Sequence, residues 1–239
     1  MEVKVNAIVI KTVDYKDNDK ILTLYSLEYG KITATIKGVK KSGAKLKFAS
    51  EPFCFCEYIL AVKGDRYTVI NASHIDTFYN LRLNLKKYYT VALVGEFAFK
   101  LIEDGNQDEF FFDLIINTVK NICYNDNELF YLCNFLIEST KILGYGITDY
   151  NCYKCTEEIT DRVFFSFKNA EFSCANCFED GFREIMISTY NAFKLIENGE
   201  VPSDSGMQKL VKFLIYYINY KTETTLKSAE SLYQLFIEE

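Results

Sequence analysis

The sequence has no tryptophan, one histidine (His74) and two prolines in 239 residues. With so little proline, Pro-rich linkers are excluded and an ordered chain is expected. With a single histidine, any Ser-His-Asp site would depend on His74, which follows an apolar strand-like stretch and has no nucleophile-elbow sequence around it. No run of 18 or more uncharged apolar residues occurs, so a membrane-spanning helix is not expected. The first twenty residues have no basic leader, apolar block or small-residue cleavage site. Their apolar residues alternate with polar ones, as in a strand, and a signal peptide is not expected. The expectation is a cytoplasmic protein, whose eight cysteines stay reduced or bind metal.

Catalytic motifs are missing as well. The stretch from Gly38 through Lys40, Lys41, Ser42, Gly43 and Lys45 approaches a phosphate-binding loop. Its lysine is displaced by one, however, and no Ser or Thr follows to hold Mg²⁺. There is no G-x-G-x-x-G, and the many acidic residues of the rear half form no D-x-D or E-x-x-H. These absences together favour a binding protein over an enzyme.

What is present is 18 Tyr, 20 Phe and an uneven charge. Residues 1–87 carry 15 Lys and Arg against 9 Asp and Glu, whereas residues 88–239 carry 12 against 24. A polyanion, if bound, is expected on the front part; the bland alternative is ordinary variation between domains.

The first 75 residues read as five strands. Val3, Val5, Ala7, Val9 and Lys11 share one face, and Ile8 and Ile10 the other. Residues 21–27 and 31–36 flank Glu28-Tyr29-Gly30 as a hairpin, and residues 53–62 and 66–75 flank Lys63-Gly64-Asp65 as another. This pattern favours a small antiparallel barrel of the oligonucleotide-binding (OB) type. From about Thr77 the apolar period becomes helical, with Leu81, Leu85, Tyr88, Tyr89, Ala92, Leu93 and Phe97 on one face. Further helices are expected over 110–123, 129–143, 182–196, 205–220 and 228–237. The fold class is therefore α+β: an OB-fold barrel over 1–77, then an all-α domain over 78–239 interrupted by an insertion over 148–182.

That insertion holds the strongest chemical signal. Cys152-x-x-Cys155 and Cys174-x-x-Cys177 are separated by 18 residues. Each pair can turn two sulfurs toward one point, and two pairs supply four thiolates for tetrahedral Zn²⁺ at about 2.3 Å each. Strand-like halves on either side of Lys168-Asn169 would form a hairpin that brings the pairs together. Four sulfurs leave no position for water, so a structural zinc is expected. Deaminase chemistry needs H-x-E before P-C-x-x-C, and neither occurs. A thioredoxin-like redox pair fits two knuckles poorly. Cys54, Cys56, Cys123 and Cys133 have no ligand spacing and are expected as buried thiols.

Lys37, Lys40, Lys41, Lys45 and Lys47 fall within eleven residues without an acidic residue among them. They are the candidate DNA contacts, on what reads as a mobile basic loop giving salt-sensitive, sequence-independent affinity. Phe48, Phe53, Phe55, Tyr58 and Tyr67 are candidate stacking rings. At least half of them are expected to fill the barrel instead, since only one face of the 53–58 strand can be core.

The order of Ala7-Ile8-Val9-Ile10-Lys11-Thr12, the polar turn from Lys16 to Lys20, Ile21-Leu22-Thr23-Leu24-Tyr25-Ser26, Tyr29-Gly30-Lys31 and Lys37-Gly38-Val39-Lys40-Lys41 resembles the start of RecO-family proteins. So does the later 48–53 stretch with Pro52. The four-cysteine insertion stands where zinc-bearing members carry theirs. The resemblance implies a protein that binds single- and double-stranded DNA and anneals complementary strands. It also implies help in loading recombinase in RecF-pathway DNA repair, with RecR and the acidic tail of single-stranded-DNA-binding protein as partners and a place on the nucleoid. It assigns zinc to Cys152, Cys155, Cys174 and Cys177, and DNA contacts to the five lysines. The chain departs from the family in its acidic balance and in a basic loop without arginines. A zinc-ribbon adaptor that binds only proteins remains the alternative.

Overall fold

A computed structural model describes residues 1–237. The chain forms two compact units, Met1–Asp126 and the part from Asn127 onward.

The first unit is built on five strands: β1 (Glu2–Tyr15), β2 (Asp19–Ser26), β3 (Gly30–Ile36), β4 (Phe55–Lys63) and β5 (Arg66–Asp76). They close into a barrel in the order β1-β2-β3-β5-β4, an OB-like arrangement. The pairing is antiparallel except between β3 and β5, which run parallel with Ala34 opposite Tyr67 and Ile36 opposite Val69. An all-antiparallel barrel is thus corrected at one seam. The long β3–β4 connection causes the difference, because it lets the chain cross the barrel end before β4 begins.

Alternation fills the interior with Val5, Ala7, Val9, Leu22, Leu24, Ile32, Ala34, Ile36, Cys56, Tyr58, Leu60 and Val69. Each full burial of a Val, Leu or Ile contributes roughly 1.5–3 kcal/mol over leaving it exposed. The Tyr58 hydroxyl donates to the Ala49 carbonyl at 2.8 Å. That bond fixes a single 3-10 turn, Phe48–Ser50, against the barrel.

The outside of part of the barrel is also buried. Helices α1 (Leu85–Leu101) and α2 (Glu109–Tyr124) belong to this unit and lie against it. Tyr25 meets Phe111 edge-on at 5.4 Å, Phe55 meets Phe112 at 6.0 Å, and Phe53 meets Tyr88 at 5.5 Å. Gly95 permits the approach of α1, since a Cβ there would stand 3.2 Å from the Ile10 carbonyl and 3.1 Å from the Phe53 ring. The expectation that only one face of the 53–58 strand is core is therefore wrong: Cys54, Cys56 and Tyr58 face the interior while Phe53 and Phe55 lie under helices. Lys11 is corrected too. A register shift between Val9 and Lys11 turns Lys11 outward, where its ammonium lies 3.7 Å from the Phe99 ring centroid.

Gly30 opens β3 at φ 61°, and a Cβ there would stand 2.0 Å from the Asn106 carbonyl oxygen. Only glycine suits both conditions.

The second unit contains α3 (Glu128–Ile142), a three-stranded sheet of β6 (Val163–Ser166), β7 (Glu171–Cys174) and β8 (Arg183–Ile185), then α4 (Ile187–Glu197), α5 (Asp204–Thr222) and α6 (Ser228–Ile237). The sheet order is β7-β6-β8. Phe165 packs on Phe213 of α5 at 5.0 Å and Phe172 on Tyr190 of α4 at 5.2 Å. A helix over 182–196 is corrected at its start. Residues 183–185 pair with β6 instead, and helix begins only at Ile187. Likewise Leu81 falls in a short 3-10 segment, and α1 starts after Asn84, whose side chain accepts from the Lys87 N–H.

Candidate metal centre and nucleic-acid interface

The β6–β7 hairpin builds the four-cysteine site. Val163 pairs with Cys174 and Ser166 with Glu171, and the turn between them is closed by the Ala170 N–H donating to the Ser166 carbonyl at 2.8 Å. Cys174 therefore ends β7, and Cys177 follows on a tight turn in which its N–H donates to the Cys174 carbonyl at 3.2 Å. The first pair is held alongside. Cys152 bridges to Phe172 of β7, the Tyr153 N–H donates to the Phe172 carbonyl at 2.8 Å, and Thr156 N–H closes back on the Cys152 carbonyl at 2.8 Å.

All four sulfurs lie within 4.8 Å of one another, and those of Cys155 and Cys174 are 3.9 Å apart. Sulfurs bound tetrahedrally at about 2.3 Å stand about 3.8 Å from each other, so the donors match the requirement of one small, thiophilic cation. This is the one such group among the described residues. Burial opposes ionisation of Cys152, but N–H groups of Cys155, Cys174 and Lys154 outweigh it and bring that thiol down to about 6. Cys177 is pushed up to about 12, first by its hydrogen bond with Cys174, then by burial and its other thiol neighbours. Four thiolates crowded this closely repel one another, and a dication removes that repulsion. Residues next to the cysteines in sequence add two contacts: Lys154 pairs with Glu179 at 2.7 Å, and Phe164 stacks on Phe178 at 4.0 Å. Cys54, Cys56, Cys123 and Cys133 are buried and are not part of the cluster.

The basic segment sits on the barrel, directly after β3. It is not a free loop but a succession of turns in which Lys41, Ala44 and Lys47 N–H groups donate to the carbonyls of Gly38, Lys41 and Ala44. It is tied to the β1–β2 turn by the Gly38 N–H, which donates to Asp19 Oδ1 at 2.8 Å, and by the Lys40 N–H, which donates to the Asn18 carbonyl at 3.1 Å. Lys37, Lys41, Lys45 and Lys47 are exposed. Lys40 forms an ion pair with Asp14 at 2.7 Å, and this hydrogen bond holds the Asp14 carboxyl below its ordinary value. Lys40 is thus the least available of the five.

The fold adds residues that the sequence reading passed over. Lys16 joins Lys37 and Lys41 around one open depression, together with Asp17, Asn18 and Asp19. Lys63 and Arg66 face each other across the β4–β5 turn, both exposed. Their only sequence signal is a cation beside a turn. The outer face that α1 and α2 leave open is a cross-strand row of Val13, Ile21, Thr35 and Thr68, with Val13 49% and Ile70 45% exposed. Of the five expected stacking rings, Tyr58 is interior, Phe53 is buried and Phe55 is under α2. Phe48 and Tyr67 remain half-buried at the barrel edge, in contact with His74 and Tyr29 respectively.

The family model described as Recombination protein O N terminal matches residues 1–78, and Recombination protein O C terminal matches residues 82–230. The chain belongs to the RecO family. The DNA repair protein RecO of Caldicellulosiruptor saccharolyticus is 29% identical over 217 residues, covering 89% of this chain and 85% of that protein. The DNA repair protein RecO of Clostridium novyi is 28% identical over 238 residues, covering 95% and 92%. That of Clostridium perfringens is 29% identical over 197 residues. RecO membership places the chain among proteins of DNA repair and recombination, and these relatives are named as repair proteins, not for a catalysed reaction. No helix of the described residues is long and apolar enough to cross a membrane.

Proposed function

We propose that this RecO-family protein binds single- and double-stranded DNA through the 1–77 barrel, anneals complementary strands and helps load recombinase in RecF-pathway repair. RecR and the tail of single-stranded-DNA-binding protein are its partners in this reading. Its role is binding and not catalysis. One observation carries the proposal: exposed Lys37, Lys41, Lys45 and Lys47 follow β3 directly and adjoin Lys16 on the β1–β2 turn. OB folds take oligonucleotides on the β2–β3 face and the neighbouring β1–β2 and β4–β5 loops. Here Lys16 lies in the first of those loops, and Lys63 and Arg66 flank the second. The lysines meet phosphates and release counterions, and the Thr-rich face with Val13 and Ile70 lies against sugars and bases.

The metal is assigned as Zn²⁺, held by Cys152, Cys155, Cys174 and Cys177. It supplies fixed tetrahedral geometry that staples the β6–β7 hairpin to the Cys152 knuckle, within the 148–182 insertion of the 78–239 helical region. Four thiolate ligands leave no position for a reacting water.

A titration of labelled oligothymidylate across a range of salt tests the DNA reading. With four to five phosphates engaged, log K should fall with log salt at a slope of about −3, since each single-strand contact contributes roughly 0.7. Binding independent of salt, or none at low salt, would reject the assignment and favour the protein-only adaptor.

A further inference from the structure

Within the acidic remainder of the chain, where residues 88–239 hold 12 basic against 24 acidic side chains, one helix has the opposite character. α5 carries Lys209, Lys212 and Lys221, and its one acidic residue is Asp204 at its N-terminal end. Lys212, Tyr216 and Tyr220 recur every four residues, so they line one face with about 6 Å of rise between neighbours. All three are exposed, and each of the two tyrosines is 50% accessible. Neither ring is among the buried positions of α5, which are Gly206, Met207, Leu210, Val211, Phe213, Leu214, Ile215, Tyr217 and Ile218.

The β6–β7 turn extends this face. Phe167 meets Tyr216 edge-on at 5.0 Å and Tyr220 at 6.0 Å. The Lys221 ammonium donates to the Lys168 carbonyl at 2.7 Å and lies 5.8 Å from the ring of Tyr145, itself 37% exposed. Lys168 is itself exposed. The result is a strip of open aromatic rings with cations at both ends.

Two chemistries are attracted to cations, but only one also uses the rings. An acidic peptide would pair with the lysines and leave the tyrosine faces idle. A duplex keeps its base faces covered. An unpaired nucleic-acid strand offers phosphates to Lys212, Lys168 and Lys221 and base faces to Tyr216 and Tyr220, one helical turn apart.

We propose that this face of α5 is a stacking platform for single-stranded nucleic acid, additional to the barrel surface. It holds an unpaired strand while a complement is presented. This inference rests on the DNA-binding reading above.

The test uses the full-length protein with Tyr216→Ala/Tyr220→Ala and Tyr216→Phe/Tyr220→Phe, measuring affinity for oligothymidylate, affinity for duplex, and annealing rate. The alanine variant should bind oligothymidylate about tenfold or more weakly and anneal more slowly, with duplex affinity unchanged. The phenylalanine variant keeps its rings and should behave as wild type. If the alanine variant binds and anneals normally, the platform is wrong while the barrel reading stands. If phenylalanine fails as badly as alanine, hydroxyl groups and not stacked rings are at work, which also overturns it. Loss of binding to an Asp-rich peptide with oligothymidylate binding intact would give the face to a protein partner. If the wild type binds no DNA at all, the barrel reading falls first.

Discussion

Replacing Cys152 by serine should strip the metal and unfold the segment around the β6–β7 hairpin. This is the largest stability effect expected in the chain. Cys152 is 1% exposed and its knuckle is hydrogen-bonded to the β7 backbone at Phe172. A four-thiolate zinc site makes roughly 10–16 kcal/mol available to folding. That matches or exceeds the 5–15 kcal/mol by which a whole domain is usually stable. The Phe165 and Phe172 contacts to α4 and α5 depend on the hairpin, so the loss should spread through the second unit. Metal analysis should show zinc near zero in the variant, with the thermal transition of that unit lowered by at least about 10 °C. Cys133→Ala, which removes a buried thiol remote from the cluster, should keep its zinc. A metal-free variant melting as the wild type does would refute the staple.

The largest effect on DNA affinity is expected from charge reversal at Lys37, Lys41, Lys45 and Lys47. These side chains are exposed, so glutamate should be tolerated without loss of stability. Each reversal removes one counterion-releasing contact and adds repulsion. Low-salt affinity for single strands should fall by about 100-fold or more, and the salt slope should flatten by about 3. Lys40 is left out because its ammonium already serves Asp14. Lys120→Glu on α2 serves as the control for a simple change in net charge. Equal losses from control and test variants would mean that overall charge, and not this segment, governs binding.

The barrel was legible because its strands alternate cleanly and two of its turns carry glycine at Gly30 and Gly64, both at positive φ. The four-cysteine cluster was legible because the distance between thiols within each pair is set by two intervening residues, independent of the rest of the fold. What the sequence hid depends on contacts distant along the chain. The β3–β5 pairing is parallel because of a crossing that no local pattern records. Phe53 and Phe55 look surplus until α1 and α2 lie over them. Residues 183–185 have helical apolar spacing, yet β6 offers them an open edge. Lys16 looked like an ordinary turn residue, and it gained meaning only when the Asp19 and Asn18 hydrogen bonds drew the basic segment beside it. Tyr216 and Tyr220 fell within the helix expected over 205–220, but nothing in that reading marked them as exposed.

The central claim, that the lysines after β3 hold the nucleic-acid backbone, is tested most directly by lysine acetylation with and without saturating oligothymidylate, read residue by residue by mass spectrometry. The account predicts that Lys37, Lys41, Lys45, Lys47 and Lys16 become several-fold slower to label in the complex while Lys120 labels at its free rate. Labelling of those five at unchanged rates, with the DNA demonstrably bound, would contradict it.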